Sequence, residues 1–181
     1  MIDLHITIHG KERLDWFEEC LDSLSKEPVN IHFTQSIIGN LPQARWDGMQ
    51  KGSAEWVGWV DVDDLIIPGI YSKLLDNVGC HKFAYANEEV WVYEEDQQTI
   101  THKYTYTSPH HIHIIHRSVL EYGRIIQFKN NQSPDLWTHD FTASGVHLNE
   151  IGYIWRRCPN SMGIQMRKQS LASYREHQSR H

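Results

Sequence analysis

Large apolar residues return along this chain in two rhythms. IDLHITI alternates apolar with polar positions and stops at His9-Gly10, the pattern of a first strand. ERLDWFEECLDSL places Leu14, Phe17, Leu21 and Leu24 at helical spacing, which predicts an amphipathic helix with acids spread along it. Pro28 closes that unit, and VNIHFTQSI reads as a second strand. A β-α-β order favours parallel pairing through a right-handed crossover.

In GNLPQARWDGMQKGSAEW, Gly39, Asn40 and Pro42 predict a turn, Ala44 to Lys51 a helix, and Gly52-Ser53 its stop. Five of the seven residues from Trp56 to Val62 are large and apolar, as in a buried strand. A helix follows Pro68 in IPGIYSKLLDNV. FAYANEEVWVYEED and TITHKYTYTS predict two antiparallel strands joined through an acidic, Gln-rich turn. HHIHIIH is a further strand, half-exposed because imidazoles alternate with Ile112 and Ile114, and RSVLEYG a short helix ending at Gly123. The chain is polar and irregular from Arg124 to Pro134, and DLWTHDFTASGVHLNEIGYIWRRCPNSMG reads as a short helix, a turn and a strand. No internal repeat or break in composition divides the sequence, so one compact α/β domain is expected.

Composition narrows this picture a little. With 181 residues, 40% hydrophobic and 22% charged, the chain can bury a real core. A net charge of -6 disfavours general binding to duplex nucleic acid. Basic residues gather late, at Arg156, Arg157, Arg167, Lys168, Arg175 and Arg180, against one acid, Glu176. That leaves contact with phosphate or a modified nucleic acid open. Cys20, Cys80 and Cys158 lack metal-type spacing and fit reduced thiols. The apolar run after Met1 is too short for a signal sequence or membrane span, so a cytoplasmic protein with no integral-membrane segment is expected.

The chemistry concentrates where the apolar run ends, in WVDVDDLIIPG. Asp61, Asp63 and Asp64 close a buried strand, where carboxylates meet desolvation and mutual repulsion unless a partner offsets them. Strand alternation puts Asp61 and Asp63 on one side and Asp64 on the other. Two converging carboxylates make an oxygen-rich site suited to Mg²⁺ or Mn²⁺, above all one already carrying phosphate. The carboxyl end of a strand in an α/β sheet is also where ligands usually sit. The ordinary alternative is an acidic turn capping the helix after Pro68.

ARWDGMQKGSAEWVGWVDVDDLIIPG resembles the stretch ARNxGxxxAxGExIxFLDxDDxxxP of the family-two glycosyltransferases. ITIHGKERLDWFEECLDSL is similar to their opening IVIPx(Y/H)NxxxxLxxCLDSL, and GYIWRRCPNSM to their late YxWRxHxxS segment. The likeness runs in three ordered blocks from about residue 4 to about residue 163. It implies a GT-A fold, a Rossmann-like mixed sheet flanked by helices, over residues 1–163. Residues 1–79 would form the nucleotide-binding half and 80–163 the acceptor half, followed by a basic segment at 164–181.

The resemblance further implies a nucleotide-diphosphate sugar donor, a UDP-sugar first among them, with its diphosphate held by Mn²⁺ or Mg²⁺ at Asp61 and Asp63. Asp61 would face the ribose or sugar phosphate, Asp63 would be the principal ligand, and Asp64 matches the family's third acid. Ile8, His9 and Gly10 would lie beside the nucleoside and Arg45 beside the donor's phosphates or sugar. The chain departs from the pattern at His9-Gly10-Lys11, where an Asn-Arg-type turn is common, and at Trp46, where Asn is usual.

Inverting transfer needs a carboxylate to take the acceptor hydroxyl's proton. Asp140 in THDFTASG lies at the better distance from GYIWRR, whereas Asp135 in SPDLW also suits a helix N-cap after Ser133-Pro134. Arg156 and Arg157 are candidates to offset a leaving diphosphate. His110, His111, His113 and His116 lack a Cys or carboxylate at zinc spacing, and at least one is a candidate to line the cleft. The acceptor could be a saccharide or another hydroxyl compound. A nucleotidyltransferase would open with a Gly-rich loop, and ITIHGKERL has one Gly; a non-catalytic nucleotide-sugar-binding protein is the other alternative.

Overall fold

The structure, a computed structural model, describes residues 1–8, 10, 12–35, 41–121 and 144–159. His9, Asp135, Asp140 and the basic segment at 164–181 lie outside the described residues. The chain divides into two units, one of residues 1–89 and 105–155, the other of residues 90–104 and 156–181.

In the first unit, β1 (Ile2–Ile8), α1 (Leu14–Leu24), β2 (Val29–Gln35), α2 (Leu41–Met49) and β3 (Trp56–Asp61) follow the expected β-α-β order. Both β2 and β3 pair with β1 in parallel. After β3 come β4 (Leu65–Ile66), α3 (Ile70–Asn77), β5 (Phe83–Tyr93), β6 (Ile100–Tyr106), β7 (His113–His116), α4 (Arg117–Glu121) and β8 (Val146–Arg157). Strand order in the mixed sheet is β2-β1-β3-β7-β5-β8-β4, with β6 paired to β5.

Helices cover both faces of the sheet. Ile2, Leu4, Ile6, Ile112 and Ile114 pack with Cys20 and Leu24 of α1 and Tyr71 and Leu74 of α3. On the opposite face Val57, Trp59, Phe83 and Tyr85 pack with Met49 of α2 and Leu120 of α4. Of the expected α1 stripe, Leu24 is buried and Phe17 and Leu21 pack against the core, joined by buried Trp16 and Cys20, whereas Leu14 is exposed. Leu14 is the helix's first residue, so no preceding turn carries it onto the sheet. α2 begins at Leu41 instead of Ala44, because proline is tolerated in a first helical turn. β7 is not half-exposed as expected. His113, Ile114 and Ile115 are all fully buried, the imidazole lying between Trp59 and Phe83 at ring distances of 4.1 and 5.8 Å.

The two-sided burial of β1 leaves Asp3 inside, and it becomes a tie point. Its carboxylate accepts from Arg117 Nη2 (2.7 Å), Ala54 N (2.7 Å), His32 Nε2 (3.0 Å) and Asn30 Nδ2 (3.2 Å). Burial pushes the Asp3 carboxyl up, but these hydrogen bonds outweigh it and hold its pKa below the ordinary value. Gly52 passes so close, at φ +73°, that a Cβ there would fall on this carboxylate. Asp3→Ala, which strands Arg117 and the Ala54 amide, is expected to cost about 3 kcal/mol in urea unfolding. An unchanged midpoint would contradict that role.

His5 and His113 are buried with both ring nitrogens unpartnered. Burial drives each pKa down to about 3. Below pH 6.5 the unfolded chain therefore binds protons that the folded chain refuses, so stability falls as pH falls from about 6.5 towards 3. At full effect the two together give a slope of about 2.7 kcal/mol per pH unit. Urea midpoints measured between pH 7 and pH 5 should drop steadily; a flat profile would mean the rings take up protons in the fold.

Candidate functional site

Parallel pairing of β1 with β3 brings their carboxyl ends side by side, with Thr7 opposite Asp61. Ile8, half-buried at the end of β1, packs against the core. Gly10 follows with φ +76° and donates its N–H to Glu12 (3.1 Å). At the end of β3 the chain turns at once, Asp64 N donating to Asp61 O (3.1 Å), before β4 resumes. That turn ends the strand alternation at Asp61. Asp64, expected on the opposite side, comes together with Asp61. Asp63 sits half-buried in the turn.

The turn is held from below by β8. Tyr153 OH accepts from Asp61 N (3.2 Å) and donates to Asp64 Oδ2 (2.7 Å). Burial and the nearby Asp64 and Asp61 push the tyrosine pKa well up, so the hydroxyl keeps its proton. The helix-capping alternative for these acids fails, since Glu27 takes the first amides of α3, at Gly69 and Tyr71. Asp61 carries the exposed end of the group, its side chain 30% accessible. Arg45, buried beneath it, donates from Nη2 to Asp61 Oδ1 (2.5 Å).

His111 Nε2 approaches Asp61 Oδ2 at 3.4 Å, and its Nδ1 lies 3.1 Å from Glu88 Oε2. The imidazole stacks on Tyr153, with ring centres 5.0 Å apart and planes 13° from parallel. Burial would lower the His111 pKa, but the charges of Glu88 and Asp61 reverse this and raise it well above its ordinary value. Burial likewise opposes the charge on Glu88, and His111 and His110 overcome it, holding the carboxylate far below its usual range.

Asp61, Asp64 and His111 each offer one donor atom, and the three atoms lie within 4.8 Å of one another. Two carboxylates and one imidazole fit a divalent cation, Mn²⁺ better than Mg²⁺ because of the nitrogen. A second group, Glu88, His110 and His111, shares the histidine. There Glu88 is already occupied, one oxygen taking the backbone N–H groups of His111 and Ile112.

Arg156 and Arg157 fall in the second unit. Arg156 is buried there, and Arg157 Nη1 donates to Tyr104 OH (3.2 Å) beside a cavity of about 300 Å³ that Tyr93, His102 and Cys158 also line. Among the described residues, no helix is long and apolar enough to cross a membrane. Sequence reasoning missed Glu88 and Tyr153. The signal for Glu88 was a pair of acids, Glu88 and Glu89, inside the mostly apolar and aromatic FAYANEEVWVY, one strand away from the histidine-rich segment.

No protein-family profile matches the chain, and no curated protein matches it in sequence. Solved structures match it in shape. S. aureus TarS does so with a TM-score of 0.60 at 13% identity, over 87% of this chain and 37% of that one. S. aureus TarS 1–349 in complex with UDP-GlcNAc gives 0.55 at 14% identity, over 86% and 58%. The bifunctional IspDF from Campylobacter jejuni gives 0.51 at 13% identity, over 84% and 50%. The chain spans between 37% and 61% of the length of the TarS chains it matches. These likenesses establish the fold, a mixed α/β architecture of the GT-A type.

Replacing Tyr153 by Phe removes one hydroxyl and leaves the buried Asp64 carboxylate short of a donor. The variant is expected to lose about 1–3 kcal/mol of stability in chemical denaturation. Wild-type stability would mean the hydroxyl does not hold the turn.

Proposed function

We propose that this chain is a glycosyltransferase that binds a nucleotide-diphosphate sugar, most naturally a UDP-sugar, at the carboxyl ends of β1 and β3. It passes the sugar to an acceptor hydroxyl with inversion. The observation that carries this reading is the convergence of Asp61, Asp64 and His111 at the end of a parallel strand. The UDP and UDP-GlcNAc complexes of TarS, which shares the fold, support the donor class.

In this reading Asp61, Asp64 and His111 hold a divalent cation. Bound there, the ion supplies positive charge to neutralise a diphosphate as it leaves. Ile8, His9 and Gly10 flank the nucleoside. Arg45 holds Asp61 in place through its hydrogen bond, and its guanidinium adds charge of the right sign for phosphate. Asp140 is the general base, with Asp135 the alternative. The acceptor is a saccharide or another hydroxyl compound, a modified nucleic acid included.

A thermal-shift panel of UDP- and GDP-sugars, run with and without Mn²⁺, tests the reading. A true donor at about 100 times its Kd adds about 2.7 kcal/mol, or roughly 5 to 10 °C in Tm, and only when Mn²⁺ is present. Asp61→Asn should abolish the shift, whereas Asp140→Asn should keep it and lose sugar transfer. If Asp63→Ala loses ion binding and Asp64→Asn retains it, the ligands are the aspartates at 61 and 63 instead. No Mn²⁺-dependent stabilisation by any donor would sink the proposal.

A further inference from the structure

Glu88 poses a problem that the proposed reading does not answer. Its side chain is fully buried in the middle of β5, where a glutamine would satisfy the backbone amides of His111 and Ile112 without burying a charge. What an amide could not do is accept, on its other arm, a hydrogen from His111. Oε2 of Glu88 lies 3.1 Å from Nδ1 of His111 and 3.4 Å from Nδ1 of His110.

The ring between Glu88 and Asp61 has little freedom. Tyr153 stacks on one face, while Trp155 and His110 meet it at steep angles of 63° and 66° with centres 5.2 and 3.7 Å away. Only the distribution of the ring's protons is left to be fixed. A carboxylate is an acceptor alone, so Nδ1 must carry the hydrogen that faces it. Nε2, on the opposite side of the ring and 3.4 Å from Asp61, faces a carboxylate as well, and a cation bound at Asp61 and Asp64 would displace the hydrogen there and meet the lone pair of that nitrogen.

We propose that Glu88 is a positioning residue: it holds His111 with Nδ1–H towards itself and Nε2 towards Asp61 and Asp64, making His111 the cation's nitrogen ligand. The inference rests on the proposed cation site and adds to it a buried carboxylate on β5 that touches neither ion nor donor. It also explains why an acid stands where the backbone would accept an amide.

Glu88→Gln is the discriminating variant. Its side-chain oxygen can keep the two backbone N–H groups, while its NH₂ group faces Nδ1 as a donor. The imidazole is then driven to carry its hydrogen on Nε2, the wrong side for a cation. Mn²⁺ affinity, read by electron paramagnetic resonance of the free ion, should weaken about 10- to 100-fold. Nitrogen NMR of ¹⁵N-histidine-labelled native chain with Mg²⁺ should find His111 protonated at Nδ1 and bare at Nε2, and the variant should reverse this. Mn²⁺ affinity within twofold of native, or the reversed tautomer in the native chain, overturns the inference. If Glu88→Gln does not fold, the native tautomer decides alone. Loss of Mn²⁺ binding in Asp61→Asn but not in Glu88→Gln would leave the cation site standing and remove only the role of Glu88. Loss in neither would remove the site itself.

Discussion

Three carboxylates inside or at the end of this sheet are each matched by a nitrogen donor at hydrogen-bonding distance. Asp3 has Arg117 and His32, Asp61 has Arg45, and Glu88 has His111. Buried charges without such partners cost several kcal/mol apiece, and removing one member of a pair typically costs about 3–5 kcal/mol. The pairs also connect segments far apart in the chain: β1 with α4, α2 with β3, and β5 with the approach to β7. The surrounding apolar residues supply the drive to collapse. The charge pairs restrict which collapsed arrangement is acceptable, since a one-residue slip of any strand would leave an acid facing oil.

Within that restriction the parallel half of the sheet does what α/β sheets commonly do with their strand ends. Thr7 stands beside Asp61, so the carboxyl ends of both strands lie together. The antiparallel half contributes differently. β8 and the segment before β7 reach under the turn at 61–64 with a phenol and an imidazole, so polar atoms from distant parts of the sequence complete a group begun by β3.

Much of the first half was legible in the sequence. The alternation in IDLHITI, the apolar run WVGWV and the acids after it gave β1, β3 and Asp61 directly, because these follow from local pattern. The histidine-rich strand was misread for a physical reason: imidazoles count as polar, yet here they pack as flat rings against Trp59, Phe83 and Tyr153. Alternation carried three residues past the end of the strand puts Asp64 opposite Asp61, whereas the turn brings the two together. Glu88 stayed hidden since two adjacent acids in a strand ordinarily mean a solvated position. Only the imidazole across the sheet reveals why one of them is inside, and no local window contains both.

The hydroxyl that steadies the acidic turn comes from a residue 92 positions further along. The first five elements can therefore assemble while the pocket they frame is still unfinished. During synthesis the acids at 61 and 64 must wait, repelling each other in water, until the closing strand has left the ribosome and threaded in beside β4 and β5. Such long sequence separations slow folding. Competence to bind is thus acquired at the end of assembly, and a shortened chain lacking that strand would present the motif without the pocket.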